Sequence, residues 1–220
     1  MVEVPAVGLQ FDFGPDLSTG TLFLWLVFLE TGLVGSYVLT TDAIITDPLV
    51  LIYPFVWINA SLLAVYKTNR PVGPVQKRLG AGTIALGYFV VLGYFGGLFG
   101  TGAESVALHL NWAPPPGYAP ALLFENELFK LVLEPYTVIG YLTLAYFVYA
   151  TVLDAAAGAV PGLLGLFSCL SCSWPILGTI VTSIFGSGSA VTAFALSQTY
   201  GIGTVVFVTA LGLLYYRPLI

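Results

Sequence analysis

Apolar residues along this chain come in long runs rather than in the short alternating or one-sided patterns of water-soluble elements. The first four runs cover residues 21–40, 48–66, 79–99 and 135–153. Each is close to the about 20 residues that a helix needs to cross hydrocarbon, so each predicts a transmembrane helix. Asp47 followed by Pro48 reads as a helix start, because proline fits the first helical position, where no backbone donor is needed. Two longer stretches follow, residues 160–185 and 190–216, joined by Gly186-Ser187-Gly188-Ser189. Both are interrupted midway, one at Pro175 and one at residues 197–203. The pattern predicts an all-α, polytopic transmembrane bundle of about six spans, the last two broken at mid-membrane, as a single domain over residues 1–220.

The longest connection, residues 101–134, holds the only histidine, His109, and the run Pro114-Pro115-Pro116. Its last part, residues 119–133, mixes apolar residues with scattered charge and predicts a short amphipathic helix at the membrane interface. Lys130 and Glu134, four apart, would then form a surface pair. In and after the third run, Gly93 and Gly97, and Gly96 and Gly100, give two overlapping G-x-x-x-G spacings where backbones can approach. They point to packing within the chain or to a homodimer.

Charge fixes the orientation. Lys67, Arg70, Lys77 and Arg78 place four of the six basic residues in one connection, and short basic loops stay in the cytoplasm. The N-terminus is therefore predicted to be cytoplasmic and the 101–134 connection external. Composition agrees with a cell-membrane location: 58% of residues are hydrophobic and 8% charged, with a mean hydropathy of +0.95. Eleven acidic against six basic residues exclude a nucleic-acid partner, which would need clustered positive charge. The expected partners are the lipid bilayer, other membrane subunits or a second copy. No G-x-x-x-x-G-K-[ST] motif occurs, so nucleotide hydrolysis is not expected.

Two places could carry chemistry. Cys169 and Cys172 form a C-x-x-C pair just before Pro175, which must kink or break the helix; Ser168, Ser171 and Ser173 can satisfy the backbone groups so freed. A helix beginning at Pro175 would turn its positive end toward Cys172 and favour thiolate. The pair then suits Cu(I), a soft ion that needs few ligands, or disulfide exchange. The plainer reading is two small buried cysteines packing a bent helix. Gln198 and Tyr200, in the second interruption, are expected to face the pair. Glu30, near the middle of the first run, should face the bundle interior and carry a proton unless paired. His109 reads as an ordinary exposed histidine.

The segments Tyr53-Pro54-Phe55-Val56-Trp57-Ile58-Asn59, Gly87-Tyr88-Phe89 and Tyr149-Ala150-Thr151-Val152-Leu153-Asp154, with 167–175 and Phe185-Gly186-Ser187-Gly188-Ser189, resemble an uncharacterised family of haloarchaeal multi-pass membrane proteins. That resemblance implies an archaeal cell membrane and carries no activity. The stretch 167–175 alone is similar to the cysteine-and-proline helix break of membrane thiol carriers and of mercuric-ion transport proteins. Those carriers pair cysteines from two helices, whereas both lie in one segment here. The function expected is a thiol site for Cu(I) or disulfide handling in support of respiratory-enzyme assembly. The alternative is a non-catalytic structural or permease subunit of a larger membrane complex.

Overall fold

The computed structural model describes residues 19–41, 47–68, 71–102, 106–155 and 199–215. The chain divides into two compact units, Met1–Asp42 and Ala43–Ile220. In the first, helix α1 spans Thr19–Thr40. Its hydroxyls are satisfied within the helix: Thr31 donates to the Val27 carbonyl and Thr40 to that of Ser36, each at 2.8 Å. Large apolar side chains such as Leu24, Phe28 and Leu39 are exposed on it, while Leu26, Glu30, Val34 and Tyr37 are half-buried along another side.

The second unit opens with a 3-10 turn, Pro48–Leu51, capped by Asp47, whose carboxylate accepts from the Leu49 N–H at 2.9 Å. Helices α2 (Tyr53–Lys67) and α3 (Val75–Phe95) follow, then strands β1 (Phe99–Thr101), β2 (Ala107–Asn111), β3 (Ala121–Glu125) and β4 (Phe129–Leu133). Helices α4 (Pro135–Ala155) and α5 (Thr199–Tyr215) are its last elements among the described residues. Among the described residues, four helices can cross a membrane by length and composition: α1, α3, α4 and the continuous 48–67 stretch that contains α2.

The all-α expectation is overturned. The 101–134 connection folds, with the end of the third run, into a four-stranded antiparallel sheet of order β1-β4-β3-β2. The amphipathic helix expected over 119–133 is the β3–β4 hairpin. Asn126 makes its turn, the side-chain oxygen accepting from Leu128 at 2.9 Å and Phe129 at 2.8 Å, while its own N–H donates to the Phe129 carbonyl at 3.0 Å. An Asn that bonds to backbone two and three residues on stabilises a turn against a helix. In the sheet Lys130 stands opposite Glu125 rather than one helical turn from Glu134. The bundle of about six spans with its last two broken is likewise not what is seen. Residues 199–203 of the expected second interruption lie inside the continuous helix α5, and the 160–185 stretch lies outside the described residues.

Register sorts the sheet into two faces, since successive side chains in a strand point opposite ways. Leu108 pairs with Phe124, Leu110 with Leu122, Phe124 with Leu131, and Leu122 with Leu133, all on one face. Ala107, His109 and Asn111 stand opposite Glu125, Leu123 and Ala121 on the other, which also carries Lys130. The sheet is joined to the helices without slack. Helix α3 ends in a Schellman turn, with Leu98 N–H donating to the Gly93 carbonyl at 2.7 Å and Gly97 N–H to that of Tyr94 at 3.3 Å. Gly97 sits there at φ +83°, which a side chain would strain. At the other attachment only Glu134 separates β4 from α4.

The core lies where α2, α3, α4 and α5 meet. Phe147, Leu144, Phe207, Leu98 and Leu214 are its most enclosed large side chains. At two of the G-x-x-x-G glycines the space is taken by rings of the same chain rather than by another backbone: Gly93 leaves room for the Phe99 ring and Gly96 for Tyr141. Helix directions are fixed by contacts. Arg78 Nε donates to the Tyr149 hydroxyl at 3.4 Å, and Gly73 meets the Leu153 side chain, so α4 runs from the sheet to the basic end of the helices. Helix α5 runs parallel to α2, with Thr204 beside Trp57 and Tyr215 beside Lys67.

Candidate functional site

The predicted thiol site cannot be placed. Cys169, Ser171, Cys172, Pro175 and Gln198 lie outside the described residues, and of Tyr200 only the helical backbone, in α5, is described. Glu30 is half-buried on α1, near the middle of that helix as expected. His109 is exposed on β2 and lines an open groove of about 410 Å³ with Asn111, Glu125 and Leu123. Among the described residues no three His, Cys, Asp or Glu side chains come together as a metal-binding group would require.

What the structure does assemble, and the sequence did not reveal, is an aromatic knot beside a carboxylate at the sheet end of the helices. Trp57 of α2 is its centre. Its ring stacks on Phe207 of α5, with centroids 3.9 Å apart and planes within 6°. Tyr136 meets it edge-on at 5.5 Å and Tyr141 at a tilt at 5.9 Å. The indole N–H donates to Thr204 at 3.1 Å, which satisfies the one polar atom of this half-buried tryptophan. Gly140 makes this possible, because a Cβ there would collide with the Trp57 ring. Tyr118, buried below the sheet, adds an edge-on contact to Tyr136 at 4.8 Å.

Glu134 closes the knot on the sheet side. It immediately precedes Pro135, and its carbonyl accepts the first helical bond of α4, from Val138 at 3.0 Å. Proline in the first helical position and a carboxylate at the helix's positive end are the local reasons that α4 starts here. The side chain accepts from Thr137 Oγ1 at 3.3 Å. Burial pushes its carboxyl above the ordinary value of 4.5, and the hydrogen bonds from Thr137 and Tyr136 only partly oppose that. A carboxyl held in this way can keep or release a proton at the boundary of the helices. The sequence did contain a signal for this site: Glu-Pro at the head of an apolar run.

At the opposite end of α2 and α5 lies a second concavity, of about 220 Å³, lined by Leu63, Ala64, Lys67, Leu211, Gly212 and Tyr215 among others. It is an apolar trough with one ammonium at its end.

Comparison with known proteins adds one fact. No curated protein and no solved structure matches the chain. A family profile does match, over residues 7–220, and the chain belongs to that family, described as a family of unknown function, DUF7546.

Proposed function

We propose that the chain is a multi-pass protein of the cell membrane, archaeal as its resemblance implies, with a cytoplasmic N-terminus and its β-sheet on the outer side. One observation carries the orientation. Lys67 and Arg78 stand at one end of the helices, and the sheet is attached to the other ends of α3 and α4. Basic residues remain on the cytoplasmic side, which leaves the sheet outside. Labels on single cysteines at Thr68 and Val106, in a background without Cys169 and Cys172, should react from opposite sides of the membrane. Reaction of both from the same side would overturn the orientation.

The chemistry proposed for this frame is that of the thiol pair, and its support is the C-x-x-C spacing ahead of Pro175. As a metal site, the two thiolates hold Cu(I) as a two-coordinate ion. As an exchange site, one thiolate attacks a partner's disulfide and releases one partner thiol. The second cysteine then displaces the other, so the partner gains two electrons and the pair becomes a disulfide. Copper retained by the purified wild type and lost in Cys169→Ser and Cys172→Ser supports the first. A reversible disulfide in metal-free protein supports the second. The non-catalytic subunit reading is favoured by a different observation, the apolar sheet face on which Leu108, Leu110 and Phe129 are exposed. Thiols that bind no copper, form no disulfide and resist membrane-permeant alkylation would leave that reading in place.

A further inference from the structure

The trough between α2 and α5 combines two features that a single ligand class matches. Its walls are Leu63 and Ala64 on one helix and Val208, Leu211 and Gly212 on the other, and among the described residues no acidic one lines it. Its end is marked by Lys67, the last residue of α2, with Tyr215 beside it as the last residue of α5. Gly212 keeps the trough open: a Cβ built there meets nothing within 4 Å. Helices in lipid gain by filling such gaps with either a side chain or an acyl chain, since an unfilled gap forfeits dispersion contacts.

We propose that this trough is a binding site for one anionic phospholipid of the cytoplasmic leaflet, an acyl chain lying along Leu63, Leu211 and Gly212 and the headgroup phosphate meeting the Lys67 ammonium. The proposal rests on the orientation argued above, which puts Lys67 at the inner membrane surface. Charge complementarity selects the occupant. A zwitterionic lipid can fill the apolar wall equally well, but only an anionic one leaves net charge for a basic side chain at headgroup level. Tyr215, apolar in body and polar at its tip, suits the same depth. The site is separate from the aromatic knot at the other end of the helices.

The test uses the full chain in mild detergent, with phosphatidylglycerol and phosphatidylcholine of equal chain length titrated in turn and bound lipid read by native mass spectrometry. Wild type should retain one phosphatidylglycerol in preference to phosphatidylcholine. Lys67→Gln should reduce that preference about fivefold, the share expected of one basic residue at the surface. Gly212→Leu should fill the trough and abolish retention of both lipids while leaving the melting temperature in detergent at or above that of wild type, because the new side chain enters open space. Inorganic phosphate in excess should not displace the lipid. Equal retention of the two lipids, undiminished retention in Gly212→Leu, or displacement by phosphate would each overturn the proposal. Failure of the orientation shows separately, as Thr68 labelled from outside.

Discussion

The helix cluster around Trp57 and the sheet over residues 99–133 are both rich in leucine and aromatic residues, yet they hide them in different ways. The cluster interlocks: Gly140 admits the Trp57 ring, Gly96 admits Tyr141, and Phe207 lies flat on the indole. The sheet instead separates its residues by alternation and leaves Leu108, Leu110 and Phe129 exposed on its apolar face. Tight packing is found where helices meet helices, with rings seated over Gly140 and Gly96. The sheet is held by its backbone ladder and its turns.

Substitutions should therefore act unequally. Trp57→Ala removes the centre of the interlock and should cost about 3–5 kcal/mol, seen as loss of a cooperative melt in detergent. Phe124→Ala on the sheet should cost clearly less, and equal losses would remove the distinction drawn here. Gly96→Ala forces a methyl group against Tyr141 and should cost about 1–3 kcal/mol, with Gly96→Ala combined with Tyr141→Leu recovering part of it. Asn126→Ala takes two acceptor bonds from the hairpin turn and should cost about 1–2 kcal/mol. Its amide exchange should quicken in β3 and β4 while α2 and α5 are unchanged.

The carboxylate at the boundary between the two regions gives a pH signature. The folded state holds the Glu134 proton more tightly than the unfolded chain does. Its contribution to stability is therefore complete below the ordinary value of 4.5 and lost as pH rises through the raised folded value. The melting temperature should fall over that window, and Glu134→Gln should flatten the fall; an unchanged slope in the variant would assign it to another group. The smallest effect is expected at Ser61. Its buried hydroxyl has no hydrogen-bond partner among the described residues, so Ser61→Ala should leave the melting temperature level or slightly higher.

The spans were legible because length and hydropathy suffice for them. Residues 21–40 became Thr19–Thr40, and 135–153 became Pro135–Ala155. The third run was placed too late, at 79–99 against Val75–Phe95. Lys77 and Arg78 had suggested a loop, and Phe99 is apolar because it folds back on Gly93. The sheet was missed for a definite reason. Residues 119–133 are apolar with interspersed charge, which suits an interfacial helix as well as a pair of strands, and Lys130-Leu131-Val132-Leu133 shows no apolar–polar alternation to decide between them. Asn126 was the discriminating residue, and hydropathy alone does not register it. The knot was invisible because Trp57, Tyr136, Tyr141 and Phe207 come from three separated segments, each of which reads as ordinary lipid-facing aromatic residues. Cys169, Cys172 and Gln198 lie outside the described residues, and Tyr200 falls in helix α5 rather than in a break.

The absence of slack between sheet and helices has a mechanical consequence. Strand β1 is tied to the end of α3 by the Gly97 turn, β4 runs into α4 through one residue, and the two strands pair with each other from Phe99–Leu131 to Thr101–Phe129. A ladder that joins the ends of two neighbouring helices is a cross-brace. Sliding α3 along α4 by about 3.3 Å, one strand residue, would shift that ladder out of register and turn the side chains of β1 to the opposite face relative to β4. The pair therefore tilts or rotates as a single strut, and a force applied to the sheet is passed to both helices together.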